Sequence, residues 1–308
     1  MNEFELIRRF FERPARNAVM GVGDDCARLR VAEGMELAVT TDMLVEGRHF
    51  LPGAEPRALG HKALAVNLSD LAACGAQPRW ATLAIALKSA DERWLAAFSE
   101  GLFALAGRYG VDLVGGDTTR GPLLTLNITA LGEVPRGQAL SRGGARAGDD
   151  LWVSGELGGA SLALAHPELA EAAKRLHEPE PRVALGVALR GLASAAIDVS
   201  DGLVGDLGHV LERSRVGARV LYAAIPRPPL FSALNDATLE ADCVLSGGDD
   251  YELLFTAAPS RRAALEALGE RLGLALSRIG VIEAAAGLRV TDPGGAPMAF
   301  KRAFDHFA

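Results

Sequence analysis

Residues 196–207 read AIDVSDGLVGDL, and the pattern within this stretch changes from that of a strand to that of a helix. The apolar run into Asp198 is typical of a buried strand, whereas residues 203–214 have helical periodicity. Asp201 and Gly202 lie between the two. Carboxylates repel one another, and burying one without a partner costs several kcal/mol. The stretch therefore predicts a strand, an acidic loop and a helix, with a compensating positive charge at the loop.

Strands and helices alternate along the rest of the chain as well. Apolar runs with strand character occupy residues 35–41, 80–87, 111–114, 123–131, 151–154, 218–224 and 251–256. Helical patterns occupy residues 56–73, 91–109 and 260–272, together with a region over 167–193 that breaks near Pro179 and Pro181. This alternation predicts an α/β protein of the α+β type with mixed sheets.

A change in composition marks the expected domain boundary. The stretch GEVPRGQALSRGGARAGDD, residues 132–150, is rich in glycine, arginine and proline, which is typical of a linker. We expect an N-terminal domain over residues 1–135, a linker over 136–149 and a C-terminal domain over 150–308.

The charge and cysteine content exclude several classes of protein. The chain has 308 residues, of which 39 are acidic and 32 basic, giving a formal charge of −7. This balance argues against a non-specific nucleic-acid binder, which needs a basic face. No uncharged apolar stretch reaches the roughly 18 residues of a membrane helix, and residues 4–12 are too charged for a signal peptide. The three cysteines are scattered without a C-x-x-C pair, so we expect a cytoplasmic protein without disulfides or a zinc site.

Acidic side chains recur where apolar segments end or are interrupted. They form six groups: Asp24 with Asp25, Asp42, Asp70, Asp117, Asp198 with Asp201, and Asp249 with Asp250. A turn or a helix cap explains each group alone, but two carboxylates about 4 Å apart repel by roughly 4 kcal/mol at an effective dielectric of about 20. Several converging aspartates therefore indicate divalent cations, and all-oxygen ligation selects Mg²⁺, with Mn²⁺ or Ca²⁺ as substitutes. Asp206 and Glu252 are interpreted as exposed or helix-face charges without a chemical role.

Glycines precede two of these aspartates, in Gly115-Gly116-Asp117 and in Gly247-Gly248-Asp249. Backbone without side chains can approach a phosphate closely, and its N–H groups can bind the phosphate oxygens. The chain has no G-x-x-x-x-G-K-[ST] motif and no protein-kinase signature, so it is neither a P-loop enzyme nor a protein kinase. The residues alone predict a Mg²⁺-dependent enzyme of phosphoryl-group chemistry outside those two classes.

The two halves of the chain carry a similar acidic pattern. In the first half, NLSD (67–70) ends 47 residues before Asp117; in the second, DVSD (198–201) ends 48 residues before Asp249. Either the halves are distantly related, or both supply similar elements to a shared site. The spacing leaves these alternatives open.

Six motifs together resemble those of the thiamine-monophosphate kinase family. They are GVGDDCA (21–27), TTDMLVEGRHF (40–50), KALAVNLSDLAACGAQP (62–78), LVGGDTTRGP (113–122), DVSDGL (198–203) and SGGDDYELLF (246–255). The resemblance covers essentially the whole chain, and the second and third motifs are its most distinctive part. The family belongs to a superfamily with aminoimidazole-ribonucleotide synthetase and selenophosphate synthetase.

The resemblance implies a function and an architecture. The expected reaction is ATP-dependent phosphorylation of thiamine monophosphate to thiamine diphosphate, the final step of thiamine diphosphate biosynthesis. The implied architecture has two α/β domains, with ATP and several Mg²⁺ ions in the cleft between them, and a homodimer built through the N-terminal sheets. A requirement for K⁺ is left open, and neither nucleic acid nor membrane is expected as a partner.

The resemblance also implies site residues, position by position. The implied metal ligands are Asp24, Thr40, Thr41, Asp42, Asp70, Asp117, Asp198 and Asp201. The implied ATP contacts are Gly116, Asp117, Arg142 and Ser200. The implied contacts to the vitamin are His49, Asp249 and Phe304. The chain departs from the family twice here, because relatives usually have Glu at the position of Asp249 and Tyr or Trp at that of Phe304.

The chemistry of the acceptor predicts the mechanism. A phosphate monoester has a second pKa near ~6, so it is largely a dianion at pH 7 and is already a nucleophile. No catalytic general base is therefore expected, and we expect direct in-line transfer assisted by Mg²⁺.

Two other functions fit parts of this sequence. One keeps the superfamily but phosphorylates an amide or formyl oxygen, and the TTDMLVEGRHF motif argues against it. The other is a non-catalytic sensor of nucleotide and Mg²⁺, and the complete set of carboxylates argues against that.

Overall fold

A computed structural model describes residues 2–301 of the chain, and the described chain divides into two compact units. The first unit contains the residues up to Leu71 together with Ala76–Gly137; the second contains Ala72–Gly75 and the residues from Gln138 onward. Each unit has one sheet with helices, so the predicted α/β class with mixed sheets is confirmed. None of the helices formed by residues 2–301 is both long and apolar enough to span a bilayer.

The first unit is built on a four-stranded sheet. Its strands are β1 (Met35–Val45), β2 (Gln77–Leu87), β3 (Asp112–Arg120) and β4 (Thr125–Pro135), and its helices are α1 (Glu3–Leu6), α2 (Pro56–Ala73) and α3 (Glu92–Tyr109), with a π-helical segment at Ile7–Phe11. The strand order is β1-β4-β2-β3. Only β2 and β3 are parallel, and α3 forms the crossover that a parallel pair needs.

Local sequence signals set the bounds of the two long helices. Helix α2 covers the range predicted from its periodicity, with Pro56 at its first position, where a missing N–H costs nothing. The side chain of Asp91 caps the start of α3 by accepting hydrogen bonds from two backbone N–H groups. Gly110 ends α3 in the left-handed conformation, with φ of 67°.

The two faces of the first sheet differ in exposure. On the outer face of β1, Leu37, Val39 and Met43 are 42%, 58% and 55% exposed, whereas Leu44 on the opposite face is buried. Because side chains alternate along a strand, the three exposed residues form one apolar row.

The second unit is built on a six-stranded sheet. Its strands are β5 (Asp150–Ser154), β6 (Ala195–Asp198), β7 (Gly217–Leu221), β8 (Leu253–Ala257), β9 (Leu276–Glu283) and β10 (Gly287–Thr291). Its helices are α4 (Gly159–Ala165), α5 (Ala170–His177), α6 (Val183–Ala188), α7 (Leu203–Ser214), α8 (Leu230–Leu234), α9 (Ala237–Ser246) and α10 (Arg262–Leu272). The order is β10-β7-β9-β5-β8-β6, with β10 and β7 parallel and the other pairs antiparallel.

Several expectations from the sequence are corrected by these elements. Strands β9 and β10 and helices α8 and α9 were not predicted. The strand expected over 218–224 ends at Leu221, and a 3₁₀ turn, Tyr222–Ala224, follows it. The similar motifs NLSD and DVSD do not form similar elements, because the first lies inside α2 and the second ends β6.

Two glycines allow α2 and α3 to touch through their backbones. A Cβ atom at Gly101 would lie 1.8 Å from the carbonyl oxygen of Arg57, and one at Gly60 would lie 2.1 Å from that of Phe98. Gly107, further along α3, has no heavy atom within 4 Å of its Cβ position.

We therefore expect Gly101→Ala and Gly107→Ala to have opposite effects on stability. The first forces the helices apart and should lower the free energy of unfolding by about 1–3 kcal/mol. The second only improves helix propensity and should raise it by up to about 1 kcal/mol. Urea denaturation followed by circular dichroism measures both. Equal stability of the two variants would contradict the close packing of α2 on α3.

Candidate functional site

In the first unit, one face of β1 and one side chain of α2 bring oxygen ligands together. The hydroxyl of Thr40 donates a hydrogen bond to Oδ2 of Asp70. Asp42 lies two residues along β1, so its side chain is on the same face as that of Thr40. Hydroxyl and carboxylate oxygens are the ligand types that Mg²⁺ prefers. These three residues are the part of the predicted metal set that the first unit places together.

The other predicted ligands of this unit lie elsewhere. The hydroxyl of Thr41 is 3.0 Å from that of Thr129, on the outer face of the sheet. Asp24 is exposed, and its carboxylate accepts a hydrogen bond from the backbone N–H of Asp25 at 2.8 Å. Asp117 is on β3, whereas Asp42 is on β1, and these are the two edge strands. Three strand spacings of about 4.8 Å separate them, which is too far for one ion to bridge.

No three side chains of His, Cys, Asp or Glu among residues 2–301 converge closely enough to hold a metal ion. Thr40 with Asp70 is the contact that fits a hard cation, because both contribute oxygen atoms at hydrogen-bond distance.

His49 follows β1 and folds back onto it. Its Nδ1 accepts a hydrogen bond from the backbone N–H of Val45 at 3.0 Å. The neutral imidazole therefore carries its proton on Nε2.

In the second unit, the two acidic stretches are adjacent and hydrogen-bonded through their backbones. The N–H of Asp249 donates to the carbonyl of Ser200 at 2.8 Å, and that of Tyr251 donates to Val199 at 2.8 Å. In return, the N–H of Val199 donates to the carbonyl of Glu252 at 2.8 Å. Asp198, at the end of β6, is only 4% exposed. The structure thus places the loop of residues 199–202 against the turn of residues 247–252.

Glycines make this close approach possible. A Cβ atom at Gly248 would lie 2.3 Å from the carbonyl oxygen of Ser200, and one at Gly202 would lie 2.7 Å from the carbonyl carbon of Ser246. Gly202 also has φ of 115°, which side-chain-bearing residues rarely adopt.

Asp206 was interpreted from the sequence as an exposed or helix-face charge; it does lie in α7, but it is buried and hydrogen-bonded to the preceding loop. It is 3% exposed, and its Oδ2 accepts hydrogen bonds from the N–H groups of Ser200, Asp201 and Gly202 at 3.0, 3.1 and 3.1 Å. Burial raises the pKa of its carboxyl to about 7, against the opposing effect of these donors. Its position in the first turn of α7, just after a glycine-containing loop, is the sequence signal for such a bond.

Glu252 was also interpreted as an exposed charge, and it is 4% exposed. Its carboxylate accepts from Nε of Arg182 at 2.7 Å, from Nη2 of the same residue, and from the hydroxyl of Ser154 at 2.5 Å. The fork of donors compensates the buried charge. Because Arg182 is 70 residues away in sequence, no local pattern could have indicated this pair.

The turn of residues 247–252 has an uncommon backbone conformation. Asp249 and Tyr251 have φ of 68° and 51°, which costs about 1–3 kcal/mol for each such residue. Asp250, between them, accepts from the N–H of Gly158 at 2.7 Å, at the start of α4. Burial raises the pKa of the Asp250 carboxyl to about 8.

The residues that the resemblance implies as nucleotide contacts lie at or near the surface. Gly116 is exposed on β3, and Arg142 is exposed in the second unit, where its carbonyl accepts from the hydroxyl of Ser214 at 3.2 Å. Ser200 and Asp201 are partly exposed in the loop that Asp206 supports. Phe304 lies outside the described residues.

Comparisons with known proteins agree with the motifs. Residues 23–134 match the AIR synthase related protein family in its N-terminal domain, and residues 146–293 match its C-terminal domain. The chain is 45% identical to the thiamine-monophosphate kinase of Salmonella typhimurium. The alignment is 322 positions long and covers 99% of this chain and 98% of the relative.

Solved structures give the same result. The thiamine-monophosphate kinase from Stenotrophomonas maltophilia matches with a TM-score of 0.86 and 47% identity, over 93% of this chain and 94% of that one. AaThiL complexed with AMPPCP and TMP matches with a TM-score of 0.77 and 29% identity, over 99% and 96%. The family predicted from six motifs is therefore confirmed: the chain belongs to the thiamine-monophosphate kinase family.

Proposed function

We propose that the chain transfers the γ-phosphoryl group of ATP to thiamine monophosphate and so produces thiamine diphosphate. The observation that carries this proposal is the pairing of the acidic loop 199–202 with the turn 247–252, two stretches that the family motifs contain. Relatives matching nearly the whole chain bear the kinase name, and AaThiL was solved with AMPPCP and TMP. A cytoplasmic location fits an enzyme that consumes ATP, and it stays a prediction.

Mg²⁺ would be held by the oxygen-rich positions. In the first unit these are Thr40, Asp42 and Asp70, and in the second they are Asp198 and Asp201; Asp24, Thr41 and Asp117 stay predictions as ligands. When bound, Mg²⁺ neutralises the negative charge of phosphate oxygens.

The residues of the chain itself bind and orient the substrates. Ser200 offers a hydroxyl in the partly exposed loop that packs on Gly248, and Arg142 and Gly116 are the other proposed nucleotide contacts. The Nε2–H of His49 and the carboxylate of Asp249 would hold the vitamin. No side chain needs to remove a proton, because the acceptor phosphate is already a dianion at pH 7.

Purified protein with ATP, Mg²⁺ and thiamine monophosphate should form thiamine diphosphate, measured directly by chromatography. Asp42→Asn and Asp201→Asn should each lower kcat at least about 100-fold, because each removes a negative charge proposed to bind a cation. Their melting temperatures should stay close to that of the wild type.

Asp242→Asn is the matched control for these variants. It removes a carboxylate that pairs with Lys301 at the surface at 2.6 Å, and such a pair contributes little. The control should keep its full activity. Absence of product from the wild type across a range of Mg²⁺ and K⁺ concentrations would overturn the proposed function.

We also propose that the chain forms a homodimer through the sheet of its first unit. The apolar row of Leu37, Val39 and Met43, which Thr41 interrupts, is exposed on one face of β1, and several exposed apolar side chains on one face are typical of an interaction site.

Val39→Glu should therefore convert the dimer into a monomer, because it places a charge in the middle of the apolar row. Analytical ultracentrifugation measures the change. Leu164→Glu is the control, since Leu164 is 57% exposed on α4 and lies outside the row. A monomeric wild type, or a dimeric Val39→Glu variant, would contradict this interface.

A further inference from the structure

The turn that carries Asp249 has an uncommon backbone conformation at two of its residues. Four non-glycine residues among those described have positive φ: Arg215, Asn235, Asp249 and Tyr251. The first two end helices α7 and α8, where the left-handed conformation is ordinary. Asp249 and Tyr251 are not helix caps. Uncommon backbone conformations of this kind persist only where the surroundings enforce them, and they cluster at functional sites.

The surroundings of this turn do enforce its conformation. Its backbone is bonded on one side to Val199 and Ser200, as described above. Asp250 is anchored at the start of α4, and Glu252 is anchored by Arg182. These two carboxylates are held by donors of the fold and so fix the turn at both ends.

The enforced conformation brings Tyr251 and Asp249 into contact. The hydroxyl of Tyr251 donates a hydrogen bond to Oδ1 of Asp249 at 2.9 Å. Tyr251 is 8% exposed, so packing fixes its ring, whereas Asp249 is partly exposed. A hydroxyl on a fixed ring holds the carboxylate in one orientation, since the side chain of aspartate has only two rotatable bonds.

We propose that Tyr251 is a positioning residue that orients the carboxylate of Asp249 toward the vitamin part of thiamine monophosphate, which carries a cationic ring. This inference rests on the proposed function and on the contact between Asp249 and the vitamin. It also gives a role to the shorter side chain at position 249. Aspartate stays within reach of the hydroxyl of Tyr251, and the orientation of its carboxylate is set by that bond.

Tyr251→Phe tests the inference because it removes the hydroxyl and keeps the ring. We expect the KM for thiamine monophosphate, and its Kd measured by calorimetry without ATP, to rise about tenfold, the loss typical of one hydrogen bond to a charged group. The kcat and the KM for ATP should stay within about twofold of the wild type, because Asp249 is not among the proposed ATP contacts. A purely structural defect would instead lower the melting temperature and change all kinetic constants.

Tyr222→Phe is the matched control. The hydroxyl of Tyr222 also donates to a carboxylate, Oε1 of Glu240 at 3.0 Å, in the same unit. The KM and the Kd for thiamine monophosphate should be unchanged in this variant. An equal rise in KM in the control would show that the effect of Tyr251→Phe is not specific.

A double-mutant cycle with Asp249→Ala, which removes the oxygen that accepts from Tyr251, measures the coupling directly. If Tyr251 acts through Asp249, Tyr251→Phe should raise the Kd for thiamine monophosphate by less than about twofold when Asp249 is already changed. A full tenfold rise in that background, or an unchanged Kd in Tyr251→Phe alone, would overturn the positioning role. Failure of the proposed function is distinguishable, because the wild type itself would then form no thiamine diphosphate.

Discussion

The repulsion between closely spaced carboxylates is the constraint on which the second unit depends. Residues 198–206 and 249–252 place six acidic side chains in two adjacent stretches. The fold compensates three of them with its own donors. Asp206 receives three backbone N–H groups, Asp250 receives the N–H of Gly158, and Glu252 receives the guanidinium of Arg182.

This division separates the carboxylates that stabilise the loops from those that we propose bind cations and substrate. The backbone bonds between Ser200 and Asp249 and between Val199 and Tyr251 use no acidic side chain. The two stretches are therefore held together independently of the charges of Asp198, Asp201 and Asp249. Those charges can serve cations and substrate without the loops depending on them, which is the preorganisation that phosphoryl transfer needs.

Much of the fold could be predicted from the sequence where the signal is local. Helices α2 and α7 begin and end at the predicted residues, because periodicity, Pro56 and Gly202 act within a few positions. Strands β9 and β10 were missed because they are stabilised by pairing with β5 and β7, which lie far away in sequence. The buried roles of Asp206 and Glu252 were misread for a related reason: their positions look polar and exposed until the loop or the distant arginine that surrounds them is known.

The two Gly-Gly-Asp motifs show how one sequence pattern can arise from one physical constraint in different elements. Gly116 lies inside β3, where a Cβ atom would be 1.8 Å from the carbonyl oxygen of Leu83; Gly248 lies in a turn, where it would be 2.3 Å from that of Ser200. Each glycine is needed because a neighbouring backbone passes too close for any side chain. Phosphate binding was the interpretation from the sequence, but the contact with a carbonyl is sufficient to require glycine. The similarity of the two halves therefore gives no sign of duplicated elements: at both positions an aspartate follows a point where two backbones touch.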